Sequence, residues 1–139
     1  NRLKIIYSGL SEVINKYSPT IMSIEDIFFA KNAKSAIKLG QARGVAVLAA
    51  AKNNLLVSEY SPTQIKLALT GKGRANKAEI QKMLLYMLDI KEFKNTDESD
   101  AVAIAICHIN LSKFESVNGV EIRNNKRRNK RFKLNDIIT

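Results

Sequence analysis

Hydrophobic residues recur every three or four positions along most of this chain, which is the spacing that gathers them on one face of an α-helix. The first such stretch predicts a helix over about residues 2–17, which ends before Pro19 because proline discourages helix continuation. The second stretch predicts a long helix over about residues 32–52. The same spacing predicts three later helices, over about residues 62–69, 77–88 and 97–113.

Two short runs of apolar and β-branched residues interrupt this helical spacing. Residues 20–25 and 55–60 each form a compact run next to turn-forming residues, which is typical of a buried strand in a parallel sheet. The order of elements predicts an α/β fold in which right-handed crossovers place helices against a central sheet. Because two strands are few for such a sheet, we expect further strands on the N-terminal side of this segment.

Capping residues and buried helix faces are also predicted from the pattern. Ser61 is a suitable N-cap with Pro62 at the first helical position, and Asn76 is a suitable N-cap for the next helix. The expected inward side chains of the helix over 77–88 are Ile80, Met83, Leu84 and Met87. Those expected on the buried side of the last helix are Ala101, Ile104, Ala105 and Ile109.

The composition limits the class of protein. A chain of 139 residues, 45% of them hydrophobic, can bury one sizeable core. Its longest small-apolar run, residues 45–51, is far shorter than the ~20 residues that a bilayer span requires, which predicts a cytoplasmic protein. The single cysteine, Cys107, excludes an internal disulfide and is expected to be structural. Cys107 and His108 point about 100° apart on a helix, which argues against a nucleophile and base pair.

The net charge of +10 favours a polyanionic partner, because clustered Lys and Arg displace the counterions of a phosphate backbone. Residues 123–133 hold seven of the 23 basic residues and no acid, so the remainder has 16 basic against 13 acidic residues. We therefore predict one domain over residues 1–116 and a basic, disordered tail over 117–139. The tail could grip flanking duplex, bind nucleic acid nonspecifically or only increase solubility.

Three carboxylates stand out as candidate metal ligands. Glu25 ends an otherwise apolar strand, and Asp97 and Asp100 are three residues apart in the first turn of a helix, where both face the same side. Converging carboxylates without a His or Cys cluster favour Mg2+ or Mn2+, and such ions support phosphodiester hydrolysis. On spacing alone, the stronger interpretation is a helix cap or dipole partner for the aspartates and a solvated strand end for the glutamate.

Several blocks of the chain, in the same order, closely resemble the RuvC-type Holliday junction resolvases. These blocks are residues 23–36, 38–44, Lys66, 71–77 and 97–105. The resemblance implies a ribonuclease-H-like fold and a homodimer that nicks four-way junction DNA in pairs with Mg2+, or Mn2+ as a substitute. It also implies an association with the branch-migration complex of recombination.

The resemblance further implies a role for individual residues. Glu25, Asp97 and Asp100 match the family's catalytic metal ligands. Lys66 and Lys77 match phosphate-binding positions, and Phe28 matches a residue that stacks on bases or opens the junction, with core packing as its alternative. Lys72 and Arg74, in the loop of residues 71–77, are interpreted as DNA-backbone contacts, with ordinary surface charge as the alternative.

The chain departs from the family pattern at its start. RuvC-type proteins begin with a glycine-flanked aspartate on a first strand, and nothing here matches it. We therefore expect these residues to lack an N-terminal segment of the family's sheet and to show little or no nicking by themselves. Two other functions remain open, namely a noncatalytic basic nucleic-acid-binding module and an RNA-preferring helical domain of a ribosome-associated protein.

Overall fold

The computed structural model describes residues 1–26 and 32–118 of the chain. Its elements are α1 (Arg2–Tyr17), β1 (Ile21–Glu25), α2 (Ala33–Lys52), β2 (Leu56–Tyr60), α3 (Pro62–Thr70), α4 (Lys77–Leu88) and α5 (Thr96–Asn118). The predicted mixed α/β class is confirmed, and six of the seven elements have bounds within one residue of those expected. Only α5 differs, because it continues five residues beyond its predicted end at residue 113.

The two strands pair in a parallel sheet. The Leu56 amide donates to the Thr20 carbonyl at 2.9 Å, and the Asp26 amide donates to the Tyr60 carbonyl at 2.8 Å. These bonds join the start of one strand to the start of the other and the end to the end, which is the parallel arrangement. Among residues 1–26 and 32–118 the sheet has only these two strands.

Contacts divide the described residues into two compact units, and the first contains residues 1–22 and 32–58. In this unit α1 packs against α2. Its buried core consists of Ile14, Ala49, Ala50 and Leu55, with Tyr7, Leu10, Met22 and Val57 packed around them. The helical spacing thus selects the inward side of α1, since Ile14, Leu10 and Tyr7 lie three or four residues apart.

The second unit contains residues 23–26 and 59–118, in which α3, α4 and α5 pack against one another. Its buried core consists of Tyr60, Ile65, Leu69, Leu84, Ala103, Ile106 and Cys107. The predicted caps are confirmed: Ser61 and Asn76 both form capping boxes, with Gln64 and Glu79 as their partners. Gly71 ends α3 in the left-handed region with φ 70°, which glycine adopts without steric strain.

Two of the predicted inward faces are partly wrong. The buried residues of α5 are Ser99, Ala103, Ile106 and Cys107, whereas Ala101, Ala105 and Ile109 are exposed. Because α5 is apolar on all sides from residue 101 to 107, the pattern does not specify a face. In α4, Leu84 is buried but Met87 is 44% exposed, since the core cluster reaches no further along that helix than Leu84.

In the part of the chain that the structure describes, no helix combines the length and apolar character that a membrane span needs.

The core of the second unit generates a first prediction. Leu84→Ala removes a fully buried side chain between three helices, and we expect it to lower the free energy of unfolding by about 2 to 5 kcal/mol. Tyr86→Ala on the same helix is the matched control, because the Tyr86 side chain is 84% exposed, and we expect a change within about 0.5 kcal/mol. Urea denaturation followed by circular dichroism measures both. Equal losses for the two variants would contradict this packing.

Candidate active site

A pocket of about 220 Å³ lies in the second unit and is formed by four elements. Its lining residues are Glu25, Pro62, Ile65, Lys66, Lys77, Ile80, Asp100, Ala103 and Ile104. The four charged members, Glu25, Lys66, Lys77 and Asp100, were all singled out from the sequence. They come from β1, α3, α4 and α5, so the fold brings together in one pocket residues that are up to 75 positions apart in the chain.

Glu25 is the last residue of β1. The backbone pairing continues one residue beyond it, through the bond from the Asp26 amide to the Tyr60 carbonyl, so the position of Glu25 is fixed by the sheet. Burial, and secondarily the negative charge of Asp100, raise the pKa of the Glu25 carboxyl above its ordinary value. The structure therefore keeps two carboxylates close enough to repel one another, an arrangement that a bound cation would relieve.

Asp100 lies at the start of the second turn of α5, and its Oδ2 accepts a hydrogen bond from Lys77 Nζ at 2.9 Å. The two side chains are 56% and 55% exposed, and exposed ion pairs of this kind contribute only about 0.2 to 1 kcal/mol. Lys77 is also the first residue of α4, where the helix dipole disfavours a positive charge. The Lys77 ammonium can therefore leave Asp100 for a stronger anionic partner at little cost.

The first turn of α5 is held against α4 by a second polar contact. Ser99 is 1% exposed, and its hydroxyl donates to the Thr96 carbonyl at 2.7 Å and accepts from Gln81 Nε2 at 3.2 Å. Gln81 lies one turn after Lys77 on α4, so one face of α4 contacts two consecutive residues of α5, Ser99 and Asp100. Sequence reasoning missed Ser99 and Gln81, because neither residue type is unusual on a helix.

Not every predicted site residue reaches the pocket. Asp97 is exposed in the first turn of α5 and is not among the pocket-lining residues. Lys72 and Arg74 are exposed in the connection between α3 and α4 and do not line the pocket either. Phe28 lies outside the described residues, as does the basic run 123–133.

The donor set of the pocket suits a hard cation only in part. Within residues 1–26 and 32–118, no three acidic, histidine or cysteine side chains lie close enough together to hold a metal ion. Glu25 and Asp100 nevertheless offer carboxylate oxygens, which are the ligands that Mg2+ and Mn2+ prefer. The raised pKa of Glu25 shows that the negative charge there is incompletely compensated by the protein. The pair therefore fits such an ion in donor type, but it is not a full ligand set among the described residues.

The two remaining reactive residues of α5 face the core. Cys107 is fully buried, and burial raises the pKa of its thiol to about 11, so the thiol stays protonated at neutral pH. The expected structural role of Cys107 agrees with this position. His108 Nδ1 lies 2.7 Å from the hydroxyl of Tyr60, a pairing that the sequence did not suggest because 48 residues separate the two.

Comparisons with known proteins agree on one family. The family model for the crossover junction endodeoxyribonuclease RuvC matches residues 1–108. RuvC of Citrifermentans bemidjiense is 51% identical over 107 residues, which are 77% of this chain and 65% of that protein. RuvC of Trichlorobacter lovleyi is 43% identical over 127 residues, which are 91% of this chain and 71% of that protein.

Solved structures give the same result. The structure of Thermus thermophilus RuvC in complex with Holliday junction substrate matches with a TM-score of 0.79 at 32% identity, covering 83% of this chain and 70% of that one. A second Thermus thermophilus RuvC structure matches with a TM-score of 0.75. The likeness confirms the expected ribonuclease-H-like α/β fold. The chain spans less than two thirds of the Citrifermentans bemidjiense protein.

The electrostatics of Glu25 generate a second prediction. Because the folded-state pKa is raised, the ionised carboxylate destabilises the fold, and this destabilisation grows as the pH rises through that pKa. We expect Glu25→Gln to raise the melting temperature of the metal-free protein at about pH 7 and to have little effect at about pH 4.

Glu92→Gln, which neutralises an exposed glutamate that does not line the pocket, is the matched control and should leave the melting temperature nearly unchanged. Thermal denaturation in EDTA across this pH range measures the three proteins. A stabilisation by Glu25→Gln that is as large at the acidic end as at neutral pH would show that ionisation is not its cause.

Proposed function

Because this chain belongs to the family of the crossover junction endodeoxyribonuclease RuvC, we propose that it acts as a structure-selective DNA endonuclease that resolves four-way junctions by paired symmetric nicks. The reaction class is metal-dependent phosphodiester hydrolysis in recombination and repair. The observation that carries the proposal is the meeting of Glu25 and Asp100 in one pocket with Lys66 and Lys77.

The proposed metal ligands are Glu25, Asp97 and Asp100, with Mg2+ as the ion and Mn2+ as a substitute. When bound, such ions activate water and stabilise the charge that develops on the leaving oxygen. Glu25 contributes a half-buried carboxylate at a fixed strand end, and Asp100 contributes one that its lysine partner can release. Asp97 would have to turn toward the pocket, which its exposed position in the first helical turn permits.

The proposed DNA contacts surround the pocket with positive charge. Lys66 and Lys77 line it, and they would hold the phosphates on either side of the scissile bond. Lys72 and Arg74, exposed between α3 and α4, would contact the backbone further along the strand. Phe28 would stack on an unpaired base at the junction.

The proposed assembly is a homodimer in the bacterial cytoplasm. Two symmetric nicks require two active sites related by a two-fold axis, which a homodimer supplies. We further propose that the dimer works with the branch-migration complex of recombination. In this arrangement the branched geometry of the junction brings the two pockets to their phosphates.

A second candidate function is a basic nucleic-acid-binding module without catalysis. It is favoured by the position of Asp97 outside the pocket and by the ion pair that occupies Asp100. The module would bind DNA through the same lysines. The enzyme would need the carboxylates for nicking, whereas the module would use them at most for stability.

A third prediction tests the carboxylates. Residues 1–139 alone are expected to nick little, so the prediction concerns whatever Mg2+-dependent nicking of a synthetic four-way junction they support. We expect Glu25→Gln and Asp100→Asn each to lower it by about 100-fold while junction binding persists, because each removes a proposed metal ligand and loss of even an outer-shell partner costs about 10- to 100-fold. Glu92→Gln, outside the pocket, should nick like the unaltered protein. Gel electrophoresis of end-labelled junctions measures nicking, and gel shifts measure binding. Salt-sensitive junction binding that neither Mg2+ nor the two carboxylate substitutions change, with no Mg2+-dependent product, would favour the module over the enzyme.

A fourth prediction tests the lysines. We expect Lys66→Gln and Lys77→Gln each to weaken junction binding and to reduce the slope of log affinity against log salt by about one, because each removes one phosphate contact. Lys82→Gln, an exposed residue of α4 that does not line the pocket, is the control and should leave both quantities nearly unchanged. Fluorescence anisotropy over a salt series measures them. Equal effects at all three positions would show that only total charge matters.

A further inference from the structure

Tyr60 joins the two elements that carry the pocket carboxylates. It is the last residue of β2 and is 4% exposed. Its carbonyl accepts the hydrogen bond from the Asp26 amide at 2.8 Å, immediately after Glu25. Its hydroxyl lies 2.7 Å from His108 Nδ1, and the two rings are 5.9 Å apart between centroids. One residue therefore contacts both the strand end beside Glu25 and the helix that carries Asp100.

The contact at His108 reaches Asp100 through the helix. His108 follows Asp100 by eight residues, which is a little more than two turns of continuous α5. Because a helix moves as a rigid rod over this length, a shift or rotation at His108 also moves Asp100. The same part of α5 is fixed by the fully buried Cys107 and by the bond from Asn110 Nδ2 to the Ala68 carbonyl at 3.1 Å.

The apolar packing of α5 does not by itself fix the rotation of the helix about its axis. A directional bond is therefore needed to fix it. Residues 101–107 are apolar on all sides, so several rotations of the helix would bury similar area. Directional bonds select among these rotations, and the bond between Tyr60 and His108 does so together with those of Ser99 and Asn110. Loss of either partner would leave a polar group without its bond in a largely buried position, which makes the observed rotation the preferred one.

We propose that Tyr60 and His108 are positioning residues, whose hydrogen bond sets the separation between Glu25 and Asp100 and so makes the pocket competent to bind a divalent cation. The role assigned to that pocket rests on the proposed function, whereas the geometric part does not.

A metal-free measurement tests the geometric part. In Tyr60→Phe, which keeps the ring and removes the hydroxyl, we expect the carboxyl carbon resonances of Glu25 and Asp100 to move in NMR spectra recorded at one fixed pH. Tyr86→Phe removes a hydroxyl from an exposed tyrosine and should move neither resonance. A bond that served only global stability would leave both resonances in place well below the melting temperature.

A binding measurement with Mn2+ as the probe tests the consequence. We expect Tyr60→Phe and His108→Leu each to weaken Mn2+ binding by about three- to tenfold, as loss of an outer-shell contact does. His108→Asn keeps an acceptor near the Nδ1 position and should restore most of the affinity. The double variant Tyr60→Phe with His108→Leu should bind like either single variant, because both remove the same bond.

The outcomes separate this proposal from the proposed function. Unmoved carboxyl resonances in Tyr60→Phe would overturn the positioning role, whether or not the protein nicks junctions. Moved resonances with no Mn2+ binding by the unaltered protein would support the positioning of the pair and refute the metal site. Weakened Mn2+ binding that His108→Asn fails to restore would overturn the role of the hydrogen bond, even if nicking is normal.

Discussion

The pocket depends on keeping two like charges close together in partly desolvated surroundings. Glu25 and Asp100 repel one another, and burial opposes the ionisation of Glu25. Left alone, a strand end and a helix would separate to relieve this repulsion. They stay together because Leu84, Ala103 and Cys107 pack in the core of the second unit, and because polar contacts fix α5 at Ser99, His108 and Asn110.

The elements of the fold could be predicted because their signals are local. Hydrophobic spacing located the helices, and Ser61 and Asn76 marked two helix starts through capping boxes that the structure contains. The face of α5 could not be predicted, since an all-apolar stretch carries no periodic signal. The exposure of Met87 could not be predicted either, because the sequence does not show how far along α4 the core extends.

The site was predictable to a similar degree. Resemblance to a family selected Glu25, Lys66, Lys77 and Asp100, and all four line one pocket. It also selected Asp97, which the free protein leaves exposed outside that pocket. Spacing on a helix shows that two side chains share a face, but not which of them lies against a neighbouring strand end. The contacts of Tyr60 and Ser99 could not be predicted either, because their partners are distant in sequence.

In the ion pair of Lys77 with Asp100, the positive and negative charges balance each other within the protein. Each group serves as the counterion of the other, so a cation at Asp100 or an anion at Lys77 must displace that partner, at a cost of only about 0.2 to 1 kcal/mol. When both arrive together, each separated group immediately gains a new partner. The linkage between the two groups is therefore weak, because a pair of about 1 kcal/mol or less changes the affinity for either ligand by about fivefold at most.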